Sequence, residues 1–231
     1  MAESDIKTFN HLKIHSQYSI CEGAVKIDDL SDFSKKNKVK SLGLCDTSNL
    51  CGALEFSEKI SKVGTQPIIG TQINFKFGNT LGLIPLFALN EKGYKRIIYL
   101  SSLSYFNKDD LSDPYLDFDE LLKDTSGVAI FSGTIFGLFG KLFEKGKFSE
   151  ISKLYLDLKQ KYSDRFYIEI QRHGDQNEIG FEKFNLNQSS GLKIPLIATH
   201  EVFYINKTTH EAHDALICIK NKTYINEKNR I

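Results

Sequence analysis

Residues 39–64, VKSLGLCDTSNLCGALEFSEKISKVG, contain the pattern that decides the fold. The first part, up to Cys45, is a short and nearly continuous apolar run, which is typical of a strand covered on both faces. A polar turn begins at Asp46, and an amphipathic segment then runs to Gly64, a residue suited to ending a helix. The stretch therefore predicts a strand–turn–helix unit of an α/β sheet, with a carboxylate where the strand emerges.

The same alternation of apolar runs and amphipathic segments continues along the chain. The predicted strands are 11–16, 39–46, 67–75, 83–90, 128–133, 166–171 and 195–200. The predicted helices are 27–38, 49–64, 91–106, 148–163 and 209–221. The third and fourth strands are separated by KFGNTLG (76–82), which contains a turn-like Gly-Asn and no helix, so this pair is predicted to form a hairpin.

Seven strands with helices in most of the intervals indicate an α/β fold. At 231 residues they predict a compact, distorted barrel of about seven βα units, related to the TIM barrel. No Gly/Ser-rich or Pro-rich linker divides the chain, so residues 1–231 are predicted to be one domain. No GxGxxG sequence follows the first strand, which argues against a dinucleotide-binding fold.

Composition narrows the class of protein. The chain is 41% hydrophobic and 26% charged with a net charge of +1, which argues against a strong field for nucleic acids or anionic membranes. No apolar run approaches the roughly 20 residues that a membrane span needs, and the N-terminus lacks a signal-peptide pattern. The four cysteines show neither zinc-binding nor disulfide spacing. These features predict a soluble cytoplasmic protein with reduced thiols.

The active site of an α/β barrel lies over the C-terminal ends of its strands. The titratable residues at those ends are His15, Glu22, Asp46, His173, His200 and Glu201. A metal site would need imidazoles and carboxylates converging from several strands, but Lys13 takes the alternate inward position of the first strand, where its charge repels a metal. For His15, the interpretation as a histidine packed within its strand is as well supported as a role as a metal ligand. His210 and His213 are interpreted as a solvent-facing helix start rather than a metal pair.

Several motifs occur together in one order. They are HLKIHSQYSICEGA (11–24), LGLCDTSNLCGALEF (42–56), PIIGTQINF (67–75), RFYIEIQRHG (165–174), PLIATHEVFY (195–204) and AHDALICIKNKTYI (212–225). Together they resemble the PHP (polymerase and histidinol phosphatase) domain family. More narrowly, they are similar to the PHP domain at the N-terminus of bacterial replicative DNA polymerase III alpha subunits. The resemblance covers essentially the whole chain and implies a PHP-type, TIM-like barrel.

Active members of this family hold a cluster of metals with nine ligands drawn from these motifs. The resemblance maps those ligands onto Lys13, His15, Glu22, Thr47, Gln72, Leu83, Thr134, Glu201 and Phe203. One of these residues, His15, is identical to the family ligand, and Glu22 and Glu201 are conservative replacements. Leu83 and Phe203 cannot bind a metal.

The resemblance therefore implies a degenerate site at which no metal is expected, with His15, Glu22 and Glu201 as residual candidates. It gives Asp46 and His173 supporting positions. We expect Asp46 to cap the turn that follows it or to pair with a neighbour such as Lys13.

The resemblance also implies a role. It predicts a non-catalytic domain of a DNA polymerase, a nucleotidyltransferase of DNA replication, with no cofactor here and Mg²⁺ in the parent polymerase. The implied partners are the polymerase core of the same chain, a proofreading exonuclease subunit and, through the parent protein, DNA; no membrane is implied. The ending INEKNRI (225–231) is expected of a fragment.

Two alternatives stay open at this point. One is an active metal-dependent phosphoesterase or 3′–5′ exonuclease with a reduced site of His15, Glu22, Asp46 and Glu201. The other is a nucleic-acid-binding module, which the near-zero net charge disfavours.

Overall fold

The computed structural model describes residues 9–107 and 113–227. Within these ranges the strands are Lys13–Ile14 (β1), Ser41–Thr47 (β2), Gln66–Phe77 (β3), Thr80–Ala88 (β4), Tyr115–Asp117 (β5), Val128–Phe131 (β6), Phe166–Ile170 (β7), Leu196–Ala198 (β8) and Glu201–Val202 (β9). The α-helices are Ile27–Asn37 (α1), Ala53–Lys62 (α2), Glu91–Ser104 (α3), Glu120–Lys123 (α4), Leu138–Glu144 (α5), Phe148–Tyr162 (α6), Gln176–Leu192 (α7) and His210–Asn221 (α8). Residues 1–8 and 228–231, which enter the predictions about a signal peptide, the chain end and the domain bounds, lie outside the described residues.

The strand–turn–helix unit predicted at 39–64 is confirmed. β2 pairs in parallel with β3, with Leu44 opposite Ile69, and its central residues are buried. α2 ends at Lys62, and Gly64 then has φ of +82°, a left-handed conformation that glycine adopts without steric cost. The polar turn thus sits at the C-terminal end of a buried strand, as its sequence indicated.

The sheet curls so far that its two edge strands, β8 and β9, are consecutive in the chain. Its hydrogen-bonded order is β8, β7, β6, β4, β3, β2, β1, β9, with β5 added to β3. β8 pairs in parallel with β7, and β9 pairs in parallel with β1. Because only Thr199 and His200 separate β8 from β9, this bent segment joins the two edges. The distorted TIM-like α/β barrel predicted from the sequence is confirmed.

The predicted hairpin of the third and fourth strands is also confirmed. β3 and β4 are antiparallel, with Phe77 opposite Thr80 beside the turn. Gly78 in that turn has φ of +55°, which favours glycine. β4 is antiparallel to β6 as well, whereas the other strand pairs are parallel. This reversed strand is the main departure from a regular βα barrel.

Several elements escaped the sequence analysis. β5, β9, α4 and α5 are short, and α7 is long but lacks an apolar period. The buried side of α7 carries Glu178 and Asn185 as well as Phe181, so hydrophobicity alone does not mark that face. The predicted strand at 11–16 is shorter than expected, since regular strand structure is confined to β1, with an isolated bridge from Ser16 to Val25.

The apolar core has two main parts. The larger lies between the sheet and α3, α5 and α6, and the smaller lies where α1 and α2 cover β1 and β2. No helix in the described ranges is long and apolar enough to cross a membrane. None of the cysteines takes part in a disulfide there. The helices of these two clusters cover the outer face of the sheet, and the polar residues of the sheet lie at the barrel mouth.

Candidate functional site

The positions that the resemblance maps onto metal ligands meet around one cavity of about 130 Å³. Those that line it are Lys13, Glu22, Gln72, Leu83, Thr134, Glu201 and Phe203. The other two contact members of this set: His15 lies beside Glu201, and Thr47 bonds to Glu22. The structure therefore brings all of the mapped residues together at the barrel mouth.

Lys13 forms a buried ion pair at the base of this cavity. Its side chain is 1% exposed, and its Nζ lies 3.2 Å from Oε1 of Glu169 and 3.0 Å from Oε1 of Glu201. Burial lowers the pKa of Lys13, but the two carboxylates outweigh burial and hold that pKa above its ordinary value. Lys13 is therefore a fixed positive charge inside the barrel.

Glu169 is a functional residue that the sequence analysis missed. It lies on β7 with its side chain fully buried. Besides Lys13, its Oε1 accepts hydrogen bonds from Gln171 Nε2 at 2.8 Å and from the Thr199 hydroxyl. The available signal was an acidic residue within the otherwise apolar strand FYIEI, because a buried carboxylate needs a partner.

Three of the mapped positions, Glu22, Thr47 and Gln72, are joined by hydrogen bonds. The Thr47 hydroxyl donates to Oε2 of Glu22 at 2.5 Å, and Gln72 Nε2 donates to Oγ1 of Thr47 at 3.0 Å. The side chains of Glu22 and Gln72 thus face Thr47. This chain of bonds links the first loop to β2 and β3.

His15 stacks on Phe203 beside the ion pair. The ring centroids are 4.5 Å apart and the planes differ by 14°, and His213 also stacks with Phe203, with centroids 5.7 Å apart. Nε2 of His15 lies 3.4 Å from Oε1 of Glu201, longer than a good hydrogen bond. His213 Nε2 also lies 2.9 Å from the Glu22 carbonyl oxygen.

The prediction that His213 faces solvent is therefore wrong. Its ring packs on Phe203 because α8 lies against the barrel mouth.

Asp46 is held by the loop that follows β1. It accepts hydrogen bonds from Ser16 N at 2.7 Å, Ser16 Oγ at 2.8 Å and Ser19 Oγ at 2.8 Å. The expectation that Asp46 caps its own turn or pairs with Lys13 is therefore wrong, since Lys13 pairs with the two glutamates. Burial raises the pKa of Asp46, and the serine hydrogen bonds partly oppose that shift. Asp46 fastens the first loop to β2.

A larger cavity of about 560 Å³ adjoins the site and shares Phe136 and Phe203 with it. The rings of His173 and His200 stack there, with centroids 4.7 Å apart. His173 Nδ1 lies 2.9 Å from Oε1 of Glu178. Burial and the neighbouring His173 lower the pKa of His200. His173 thus lies beside the larger cavity and not in the smaller one.

These side chains do not fit the metal cluster that active members of the PHP family hold. Leu83 and Phe203 present hydrocarbon to the cavity, and Lys13 places an ammonium there. Glu22 bonds to Thr47 instead of standing free. Among the residues that the structure describes, no group of three or more His, Cys, Asp or Glu side chains could hold a metal ion. The donor set falls short of what zinc or a harder divalent ion requires.

Glu201 makes stability depend on pH at the acidic end. Burial raises the pKa of Glu201, but the Lys13 charge and the His15 contact outweigh it, so the pKa lies well below its ordinary value. The unfolded chain therefore takes up this proton first, as pH falls past about 4.3. The stabilisation is complete above that pH and is lost as pH falls towards the folded-state pKa. Urea midpoints measured from pH 7 to pH 3 should fall less steeply in Glu201→Gln than in the wild type.

The matched control for this pH series is Glu91→Gln, which alters an exposed carboxylate paired with Lys95. Its midpoints should follow the wild-type pH dependence. A Glu201→Gln curve parallel to the wild type would contradict the proposed role of the buried pair.

A family model described as the PHP domain matches residues 11–173. This range holds β1 to β7 and the Lys13, Glu22, Thr47, Gln72 and Glu169 side chains.

Curated relatives match over nearly the whole chain. They include the DNA polymerase III subunit alpha of Caulobacter vibrioides, 33% identical over 100% of this chain and 21% of the relative. The subunits of Rickettsia felis and Borreliella burgdorferi are 34% and 32% identical over 91% and 96% of this chain, and 18% and 20% of the relatives. The chain thus spans about a fifth of the length of these relatives.

Solved structures show the same fold at low identity. An amidohydrolase from Chromobacterium violaceum has a TM-score of 0.55 at 12% identity, covering 90% of this chain and 97% of that one. A two-domain protein from Bacteroides vulgatus, described as containing a PHP-like metal-dependent phosphoesterase, has a TM-score of 0.53 at 13% identity, covering 84% and 51%. These likenesses concern the fold.

Proposed function

This chain belongs to the PHP domain family, and we propose that it serves as the N-terminal PHP domain of a replicative DNA polymerase III alpha subunit, with a degenerate metal site. The observation that carries the proposal is the match of alpha-subunit relatives over 91–100% of this chain. Because the chain spans about a fifth of those relatives, DNA polymerase activity and its Mg²⁺ belong to the proposal as properties of the longer protein.

The side-chain arrangement supports a structural role for this domain. Lys13 pairs with Glu201, Glu22 bonds to Thr47, and Phe203 stacks on His15, so former ligand positions stabilise one another. Metal-bound water is the usual nucleophile in such phosphoesterases, and this donor set gives a metal cluster no binding site. We infer that the domain buttresses the polymerase core and offers a docking surface to the proofreading exonuclease subunit. In this proposal the longer protein makes the contact with DNA. It acts in the cytoplasm.

The test of this assignment begins with the gene. We expect its reading frame to continue for many hundreds of residues and to encode a pair of polymerase aspartates that bind Mg²⁺. The purified full-length protein should then co-elute with its proofreading exonuclease subunit in gel filtration. A reading frame that ends at Ile231 would contradict the polymerase assignment.

Restoring three ligands should bring back metal binding. Lys13, Leu83 and Phe203 line one cavity with Glu22 and Glu201, so three histidines there would add imidazoles to existing carboxylates. We expect the variant Lys13→His/Leu83→His/Phe203→His to release heat on titration with zinc or manganese in a calorimeter.

The matched control for that titration is Lys13→Ala/Leu83→Ala/Phe203→Ala, which opens the same positions without adding ligands. It should show no saturable heat. Equal heats from the two variants, or none from the histidine variant, would count against the mapping of ligand positions.

A further inference from the structure

The ammonium group of Lys13 is held as a bound cation would be. It is buried and faces one oxygen each from Glu169 and Glu201, at 3.2 and 3.0 Å. These separations match charge-assisted N–H···O hydrogen bonds, and they are about 1 Å longer than zinc–oxygen bonds. The two carboxylate oxygens therefore lie at positions that suit an ammonium group.

The surroundings carry more negative than positive charge. Glu22 and Glu201 line the 130 Å³ cavity and Glu169 lies behind it, while Lys13 is the one lysine or arginine among the described residues that line that cavity. Oε2 of Glu169 is buried and has no hydrogen-bond partner within the described part of the chain. The buried carboxylates thus need a cation at this point, and Oε2 of Glu169 is left as a further acceptor for it.

We propose that Glu169 and Glu201 form a binding socket for a primary ammonium ion, which the chain fills with its own Lys13 side chain. The inference rests on the contacts of this site and not on the assignment to a polymerase. Emptied of its lysine, the socket should accept a small primary alkylammonium. The ligand class is therefore an RNH₃⁺ ion with an unbranched, lysine-like stem.

A small ion has a route to the socket. The 130 Å³ cavity that Lys13 lines shares Phe136 and Phe203 with the 560 Å³ cavity beside it. Phe136 is 64% exposed, so the larger cavity reaches the surface of the barrel mouth. Truncation of Lys13 to alanine would join the vacated space to this opening.

The test is chemical rescue of Lys13→Ala. This substitution removes every side-chain atom beyond Cβ, and those atoms together make an n-propylammonium ion. We expect the variant to unfold at a lower temperature than the wild type. With n-propylammonium chloride about 100-fold above its dissociation constant, the midpoint should rise by about 5–10 °C. Sodium chloride at equal ionic strength and tetramethylammonium chloride, which has no N–H donor, should not reproduce the rise.

Lys59→Ala is the matched control. Lys59 also bridges two carboxylates, Asp28 at 2.5 Å and Glu55 at 2.7 Å, but on the surface. The unfolding midpoint of Lys59→Ala should be the same in n-propylammonium chloride as in sodium chloride. An equal rise in Lys59→Ala, or equal rescue of Lys13→Ala by tetramethylammonium, would overturn the proposal.

A second variant covers the case in which Lys13→Ala does not fold by itself. The triple variant is Lys13→Ala/Glu169→Gln/Glu201→Gln, which removes the carboxylate charges along with the ammonium. We expect this variant to fold, and we expect propylammonium to leave its unfolding midpoint unchanged. Lys13→Ala should then regain its circular dichroism spectrum only in propylammonium. Failure to regain it, or rescue by zinc instead, would overturn the ammonium socket while leaving the polymerase assignment intact.

Discussion

Lys13→Met should destabilise the domain by about 3–5 kcal/mol, the usual cost of removing one partner from a buried ion pair. The methionine fills similar space, but Glu169 and Glu201 would then face each other without a cation in a largely buried site. Urea denaturation monitored by circular dichroism gives the free energy of unfolding directly.

Lys59→Met controls for the loss of a lysine that bridges two carboxylates. Lys59 is on the surface, where water screens its partners. We therefore expect the urea midpoint of Lys59→Met to lie close to that of the wild type. A Lys13→Met protein as stable as the wild type would show that the ion pair at the centre of this account contributes nothing.

Asp46→Ala should cost about 3 kcal/mol or more in free energy of unfolding. The substitution removes the acceptor for a buried backbone N–H and for two serine hydroxyls, and each orphaned donor carries its own penalty. The loop between β1 and α1 should also lose protection against hydrogen exchange, since Asp46 accepts hydrogen bonds from both Ser16 and Ser19 of that loop.

Asp46→Asn separates the hydrogen bonds from the charge. The amide keeps one acceptor oxygen and removes the cost of burying a carboxylate, so the loss should be roughly half that of alanine or less. If both variants lose the same stability, charge and not hydrogen bonding holds the loop.

The fold was largely predictable because its strands are short apolar runs with clear polar ends. Residues 39–64 show this well, since Gly64 ends the helix where its conformational freedom indicated. α7 was missed because its buried face includes Glu178 and Asn185, so apolar residues alone do not mark that face. Glu178 bonds to His173 and Gly174 just before the helix, and Asn185 accepts a hydrogen bond from the Tyr155 hydroxyl. The division of the last strand at Thr199 and His200 was also invisible, because it depends on pairing with β7 and β1.

The candidate site was predictable in its members but not in its contacts. The motifs identified the mapped positions, and the structure places them together. They could not reveal that Lys13 pairs with Glu169, because the two lie on strands far apart in sequence and only barrel closure brings them together. The same absence of long-range information led to the expectation that Asp46 pairs with Lys13.

The metal content of the purified protein shows whether side chains have replaced metals at the barrel mouth. After dialysis against a chelator, then against buffer with added zinc, manganese or iron, and finally against metal-free buffer, bound metal can be counted by mass spectrometry. Lys13, Leu83 and Phe203 leave too few donors, so we predict far less than stoichiometric metal. Retention of stoichiometric zinc, manganese or iron would contradict the account of a site whose side chains have replaced its metals.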